Sequence, residues 1–216
     1  MTRPHELVAI VNSSAPADAL SASLFCSGVL VGKTEVATAR HCLKGRTPKE
    51  IDLVIDGNNV CRGAAIDGRR VHAAAFRFLP PSEGDIAFVT LDREVSVPPA
   101  MSADSHAKVS DPLVAWGWGR IAPGVGSPCT PQPKPLKVVS NSRCAVVEAN
   151  YRPDTVDKYL CAAPTGKVNT CSKDSGGPTF AFSEGRPVVV ALVAAGDGCG
   201  PADAGTYVLL PHAPTP

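Results

Sequence analysis

Apolar residues in this chain come in short bursts that never settle into a helical rhythm. No 3.6-residue spacing persists over about 12 positions. Strand-length runs recur instead: Leu7–Val11, Leu24–Val31, Glu35–Ala39, Ile51–Ile55, Val71–Phe78 and Ile86–Leu91. Six more follow: Leu113–Trp118, Leu136–Val139, Tyr159–Ala162, Thr179–Phe182, Val188–Ala194 and Thr206–Leu210. Glycine, proline, asparagine and aspartate bound them, as turns between strands require. With 19 glycines and 21 prolines in 216 residues, long helices are disfavoured and an all-β barrel or sandwich is expected. The stretch from Val97-Pro98-Pro99 to Asp111-Pro112 reads as a linker between two similar β units. No sequence repeat relates the two sets. The proline-rich segment 123–135 reads as a loop, and one short helix is expected near Ser142–Asn150.

Charge excludes some partners. The 21 basic and 20 acidic residues leave a net charge of +1, so nothing draws the chain to nucleic acid or an anionic membrane. Charged residues are only 19%, too few for a disordered chain of this hydropathy. No apolar run reaches the roughly 20 residues that span a bilayer.

The cysteines point to a compartment. Cys26, Cys42, Cys61, Cys129, Cys144, Cys161, Cys171 and Cys199 are even in number and spread through the chain. Four disulfides in an oxidising, extracytoplasmic compartment are expected. Spacing alone leaves about 105 connectivities open. A zinc site is disfavoured, because no Cys-x-x-Cys pair exists and His41-Cys42 has no second pair at ligand spacing. A secretory leader would carry an apolar stretch behind a basic start, which Met1–Glu6 does not begin. Either a leader has been removed ahead of it or the gene start is misplaced.

Three local features carry chemistry. Thr38-Ala39-Arg40-His41-Cys42 follows a strand, Gly84-Asp85-Ile86-Ala87 opens one, and Asp174-Ser175-Gly176-Gly177-Pro178 is a glycine-rich turn before another. Singly, each has a bland explanation as a structural histidine, a turn aspartate and an ordinary turn. Jointly they supply a base, a residue to orient it and a nucleophile.

These segments resemble the trypsin-like, chymotrypsin-fold serine proteases. Phe25-Cys26-Ser27-Gly28-Val29-Leu30 resembles that family's Cys-Gly-Gly-Ser-Leu strand, and Thr38–Cys42 its Thr-Ala-Ala-His-Cys. Asp85-Ile86-Ala87 resembles Asp-Ile-Ala, Trp116-Gly117-Trp118-Gly119 the Gly-Trp-Gly strand, and Lys173–Pro178 the Gly-Asp-Ser-Gly-Gly-Pro motif. Ala204-Gly205-Thr206-Tyr207 resembles Pro-Gly-Val-Tyr, so the likeness runs from about residue 7 to 210.

The resemblance implies two six-stranded antiparallel β-barrels with the site in the cleft between them. Residues 1–105 would form the N-terminal barrel with His41 and Asp85. Residues 106–216 would form the C-terminal barrel with Ser175 and the specificity pocket. By the same resemblance Ser175 is the nucleophile, His41 the general base and Asp85 its orienter. The backbone N–H groups of Lys173 and Ser175 form the oxyanion hole. The implied disulfides are Cys26–Cys42, Cys144–Cys161 and Cys171–Cys199, with Cys61 and Cys129 left to each other. No cofactor or metal is needed. The implied partners are polypeptide substrates and protein protease inhibitors, met by a monomeric, secreted chain with no nucleic acid and no membrane.

Departures from the family pattern sharpen the expectations. Asn169 stands where a trypsin has the aspartate that selects Arg or Lys, so the pocket loses that charge. Alternatively, Asn169 simply bonds nearby backbone. Gly196 and Gly205 match open pocket walls, and Ala194-Ala195 replace Ser-Trp, keeping a backbone acceptor while losing an aromatic wall. Lys173 replaces a glycine, at the cost of backbone strain, and could crowd the cleft. Arg40 replaces an alanine before the histidine and reads as packed or paired. Family members are usually activated when cleavage frees an Ile-Val-Gly-Gly terminus whose ammonium pairs with the aspartate before the serine, here Asp174. Ile10-Val11, 15 residues ahead of Cys26, reads as the first strand, so the activation segment reads as absent. Asp174 would then face Arg120, Lys173, water or nothing. The segment after Leu210 is also shorter than the family's C-terminal helix.

His5, His72, His106 and His212 match no family motif. Asp56, Asn58 and Asp67 around the 57–68 loop suggest a calcium site, supplying three of the roughly 6–8 oxygens that Ca²⁺ takes. Two rivals to a secreted endopeptidase remain: a catalytically weak or inactive homologue acting as a binding module, and an esterase or amidase using the same nucleophile.

Overall fold

A computed structural model describes residues 2–62, 69–102, 107–122, 124–144, 153–196 and 198–211. The apolar runs become twelve strands. β1 (Leu7–Asn12), β2 (Leu24–Gly32), β3 (Glu35–Ala39), β4 (Ile51–Ile55), β5 (Arg69–Phe78) and β6 (Ile86–Leu91) close one antiparallel barrel. β7 (Pro112–Gly117), β8 (Gln132–Val139), β9 (Tyr159–Pro164), β10 (Pro178–Ser183), β11 (Arg186–Gly196) and β12 (Gly205–Leu209) close a second. Strand order is β1-β2-β3-β6-β5-β4 in the first and β7-β8-β9-β12-β11-β10 in the second, the same path twice. Closure leaves neither barrel a free edge.

β1 shows why a strand here reads as an unbroken apolar run. Val8 and Ile10 pack inside the first barrel with Leu30, Leu53 and Val89. The alternate residues Leu7, Ala9 and Val11 belong to a cluster with Trp116, Phe180, Leu192 and Val208 of the second barrel. Both faces of β1 are therefore dry, which removes the usual polar alternation. Each fully buried Leu or Val contributes about 1.5–3 kcal/mol. A separate cluster with Leu113, Leu136, Leu160, Val190 and Tyr207 fills the second barrel.

One expectation is overturned. Segment 123–135 is not loop throughout, because β8 starts at Gln132 and carries Pro133 and Pro135. Proline cannot donate to a ladder, yet here it need not. Pro133 and Pro135 oppose Trp116 and Val114 in β7, and β9 begins to pair only at Leu136. The expected helix near 142–150 is a 3-10 turn over Asn141–Cys144, and its remainder lies outside the described residues. The linker is tied down: Ala100 N–H donates to Leu30, Val189 N–H donates to Met101, and Ser102 bridges to Val189.

Disulfides join Cys26–Cys42, Cys61–Cys129, Cys144–Cys161 and Cys171–Cys199. Cys61–Cys129 staples a first-barrel loop to the second half, where Val60 N–H also donates to the Cys129 carbonyl. Closing a loop of 68 residues removes about 4 kcal/mol of unfolded-chain freedom in the entropic treatment.

Candidate active site

The register of the first barrel brings His41 to Asp85. β3 pairs with β6 so that Ala39 faces Ile86, which leaves Asp85 beside the residues that follow Ala39. Those residues, Arg40–Leu43, form a single helical turn, α1, pinned by the Cys26–Cys42 bridge. Arg40 N–H donates to the Asp85 carbonyl and His41 N–H to Asp85 Oδ1 at 2.9 Å. His41 Nδ1 donates to Asp85 Oδ2 at 2.6 Å. A carboxylate only accepts, so Nδ1 carries a proton, and in the neutral imidazole that tautomer leaves the Nε2 lone pair free. The Asp85 side chain is 10% exposed while the imidazole is 45% exposed, a fixed anchor under an accessible base. Arg40 is packed and paired: it donates to the Leu79 carbonyl and stands 5.8 Å over the Phe78 ring.

The second barrel supplies Ser175 from the turn before β10. Ser27 N–H donates to the Ser175 carbonyl, and Gly176 N–H donates to Val193 at 2.7 Å. Gly176 has φ +79°, and a Cβ there would strike Thr38 Oγ1 and the Ser27 carbonyl. Only glycine lets the serine turn press against the first barrel this closely. His41 Nε2 lies 3.8 Å from Cys42 Sγ, which lies 3.7 Å from the Ser175 carbonyl oxygen. His41 and Ser175 share no hydrogen bond here; such bonds tighten when substrate binds.

Lys173 is the strained member of the turn, with φ +81°. A lysine in that region costs of order 1–3 kcal/mol. Ser27 Oγ donates to its carbonyl, and its Nζ reaches the Ser21 carbonyl. Burial, with Arg120 second, pushes the Lys173 ammonium below its usual range. Among the described residues no protein acceptor takes the backbone N–H of Lys173 or Ser175.

A cavity of about 330 Å³ opens beside Ser175, lined by Thr170, Ser172, Val193, Ala195, Gly196 and Gly198. Asn169 does not line it. Its Nδ2 donates to the Gly200 and Asp203 carbonyls and its Oδ1 accepts from Thr170 N–H, so it spends its polar groups on backbone. Thr170, Ser172 and Ser175 are the polar residues that line it, and the Thr170 hydroxyl is paired with that of Tyr207. Gly205 pairs with Gly196 across β12 and β11, and Ala194 is buried. A second cavity of about 540 Å³ adjoins His41 and Asp85 and is also lined by Arg40, Lys44, Phe78 and Tyr159.

Asp174 has a partner that sequence proximity did not indicate. Lys134 Nζ, from β8, donates to Asp174 Oδ1 at 2.7 Å. Neither Arg120 nor Lys173 reaches it; Arg120 N–H donates to Ser172. The overlooked signal was phase: Lys134, Leu136 and Val138 share the inward face of β8, so this lysine occupies a core position.

These strands and motifs agree with a match to the trypsin family model over residues 4–212. The chain belongs to the trypsin family. It is 27% identical to a trypsin of Saccharopolyspora erythraea over 85% of this chain and 81% of that protein. It is 30% identical to trypsin delta of Drosophila erecta over 83% and 71%, and 29% identical to a trypsin of Sarcophaga bullata over 82% and 70%. Family membership makes it a serine endopeptidase, a hydrolase acting on polypeptides. Four disulfides fit an oxidising compartment, and among the described residues no helix is long and apolar enough to cross a membrane.

The other candidates are accounted for. Cys26, His41 and Cys42 cluster, but both sulfurs are in a disulfide and cannot act as thiolate ligands. Asp56 faces Arg3 and His5, which opposes the calcium reading, and Asp67 lies outside the described residues. His72 pairs with Asp52. His106 and His212 also lie outside the described residues.

Proposed function

We propose that this chain is a secreted, monomeric endopeptidase that cuts peptide bonds through His41, Asp85 and Ser175 and does not prefer Arg or Lys. The carrying observation is the His41–Asp85 pair, joined to Ser175 through the contact of Cys42 Sγ with the Ser175 carbonyl, beside two backbone donors with no protein acceptor among the described residues. The halves 1–105 and 106–216 divide the labour, the first holding the base and the second the nucleophile and pocket.

A serine hydroxyl is a poor nucleophile at neutral pH and needs an adjacent base. Ser175 Oγ attacks the scissile carbonyl as its proton passes to His41 Nε2. The carbonyl electrons move onto oxygen, where the N–H groups of Lys173 and Ser175 bind the developing anion. Each such donor contributes about 3 kcal/mol. Asp85 holds the tautomer and stabilises the imidazolium. When the tetrahedral intermediate collapses, the C–N bond breaks and His41 returns the proton to the leaving amine. Water then repeats the sequence on the acyl-enzyme, releasing Ser175. The cavity is lined by no charged residue and has no carboxylate to receive a cationic side chain, so an uncharged side chain of moderate or aromatic size fits it best.

A fluorophosphonate probe tests this reading. The native chain should label, while Ser175→Ala and His41→Ala should not. Absence of labelling in a folded, oxidised sample would favour a binding homologue. Among chromogenic substrates, best turnover with Arg at the cleavage position would overturn the pocket assignment.

A further inference from the structure

We propose that Lys134 is the internal cation that sets the oxyanion turn, so that the active conformation needs no ammonium from a freed chain terminus. The inference rests on the endopeptidase reading above and adds a regulatory property to that site.

The Asp174 carboxylate accepts three hydrogen bonds. Lys134 Nζ and Gly119 N–H donate to Oδ1 at 2.7 and 2.8 Å, and Cys171 N–H donates to Oδ2 at 2.9 Å. The Lys134 side chain is 0% exposed and that of Asp174 is 1% exposed. No room is left around them: a Cβ on Gly117 or Gly119 would fall into the carboxylate. The Trp116-Gly117-Trp118-Gly119 segment is thus a glycine cradle for Asp174. The close approach of this cradle leaves no space for a second ammonium on that side.

Asp174 lies between Lys173 and Ser175, whose N–H groups are the oxyanion donors of the proposed function. Its side chain points into the second barrel, so holding the carboxylate fixes the peptide planes on either side. Lys173 occupies a strained conformation next to it. That conformation persists only if the surroundings over-determine it. Ser27 and Val193 hold the turn through Lys173 and Gly176, and the ion pair holds it through Asp174. A buried ion pair is a poor stabilising device compared with packed apolar side chains, so its distinguishing effect is on geometry.

The test compares probe labelling, kcat and KM across five forms of the full chain: native, native with a blocked N-terminal extension, Lys134→Met, Lys134→Ala, and Lys134→Met with Asp174→Asn. Native and blocked forms should label at the same rate. Lys134→Met should label about 100-fold more slowly or worse, the size of losing one oxyanion donor, with the loss in kcat. Lys134→Ala should recover with butylammonium and not with butanol. Where the single variants do not fold, the charge-neutral double variant decides. A merely structural pair predicts that it labels like the native chain, whereas positioning predicts that it stays at least about 10-fold slow. Loss of labelling on blocking the terminus, or native labelling in Lys134→Met, overturns the proposal. No labelling by the native form overturns the endopeptidase reading instead.

Discussion

Each barrel buries an aspartate, and the two are neutralised in opposite ways. Asp52 on β4 is fully buried, and its partners come from the adjacent strand β5. Arg70 Nε and His72 Nδ1 each lie 2.5 Å from it, yet Arg70 is 24% exposed and His72 is 68% exposed. Arg70 also donates to the Ser13 and Ala15 carbonyls, clamping the segment after β1. Only the carboxylate is taken out of water there. Asp174 and Lys134 are both enclosed, so both ions bear the desolvation cost. The first arrangement can relax through solvent. The second has one geometry or none, which suits a group that must hold a catalytic turn.

The largest effect should come from removing one cation from each pair and comparing denaturant midpoints. Lys134→Met leaves a carboxylate with two backbone donors and no counter-charge, which should cost about 3–5 kcal/mol. Arg70→Met leaves Asp52 hydrogen-bonded to His72, which reaches water, so about 1–3 kcal/mol is expected. Arg70→Met should still label with the probe at the native rate. Equal losses would break the contrast between the enclosed and the vented pair.

How far these pairs were legible follows from how each is built. The Asp52 cluster is cross-strand: Asp52 and His72 sit in the runs Ile51–Ile55 and Val71–Phe78, while Arg70 lies just ahead of the second, so the register and that strand's start were missing. Lys134 and Asp174 are 40 residues apart, and the lysine lies between two prolines. Proline content suggested a loop because composition does not say which face of a strand lacks a partner. The inward phase shared by Lys134, Leu136 and Val138 was the one local sign. The strand pattern and the three local segments could be read directly, because alternation and turn chemistry are local. Asn169 could not be placed, since whether its amide faces a cavity or a carbonyl depends on the 198–203 segment packed against it.

The two barrels should also differ at alkaline pH. Burial, with the Asp85 charge second, pushes the Tyr159 phenol up to about 12. The fully buried Tyr207 is raised further. In the unfolded chain a phenol titrates near its ordinary value of 10. The folded state therefore keeps its proton where the unfolded state has lost it. The stability this represents is complete below pH 10 and disappears as pH climbs through about 12. Denaturation midpoints should fall across that interval, and fall less steeply in Tyr159→Phe. An unchanged slope in that variant would mean that Tyr207 alone carries the alkaline loss.

The smallest effect tests the vented pair from its exposed side. His72→Ala removes a partner that is mostly in solvent, where water screens the charge and replaces the hydrogen bond. Arg70 remains on the other Asp52 oxygen and keeps its two carbonyl contacts. A loss of about 0–1 kcal/mol is expected, together with native probe labelling. A loss as large as that of Arg70→Met would show that the imidazole shields Asp52 from water as well as bonding to it. Asp52 would then be as enclosed in effect as Asp174, and the difference between the barrels would lie only in what each carboxylate holds, the segment after β1 or the turn that carries Ser175.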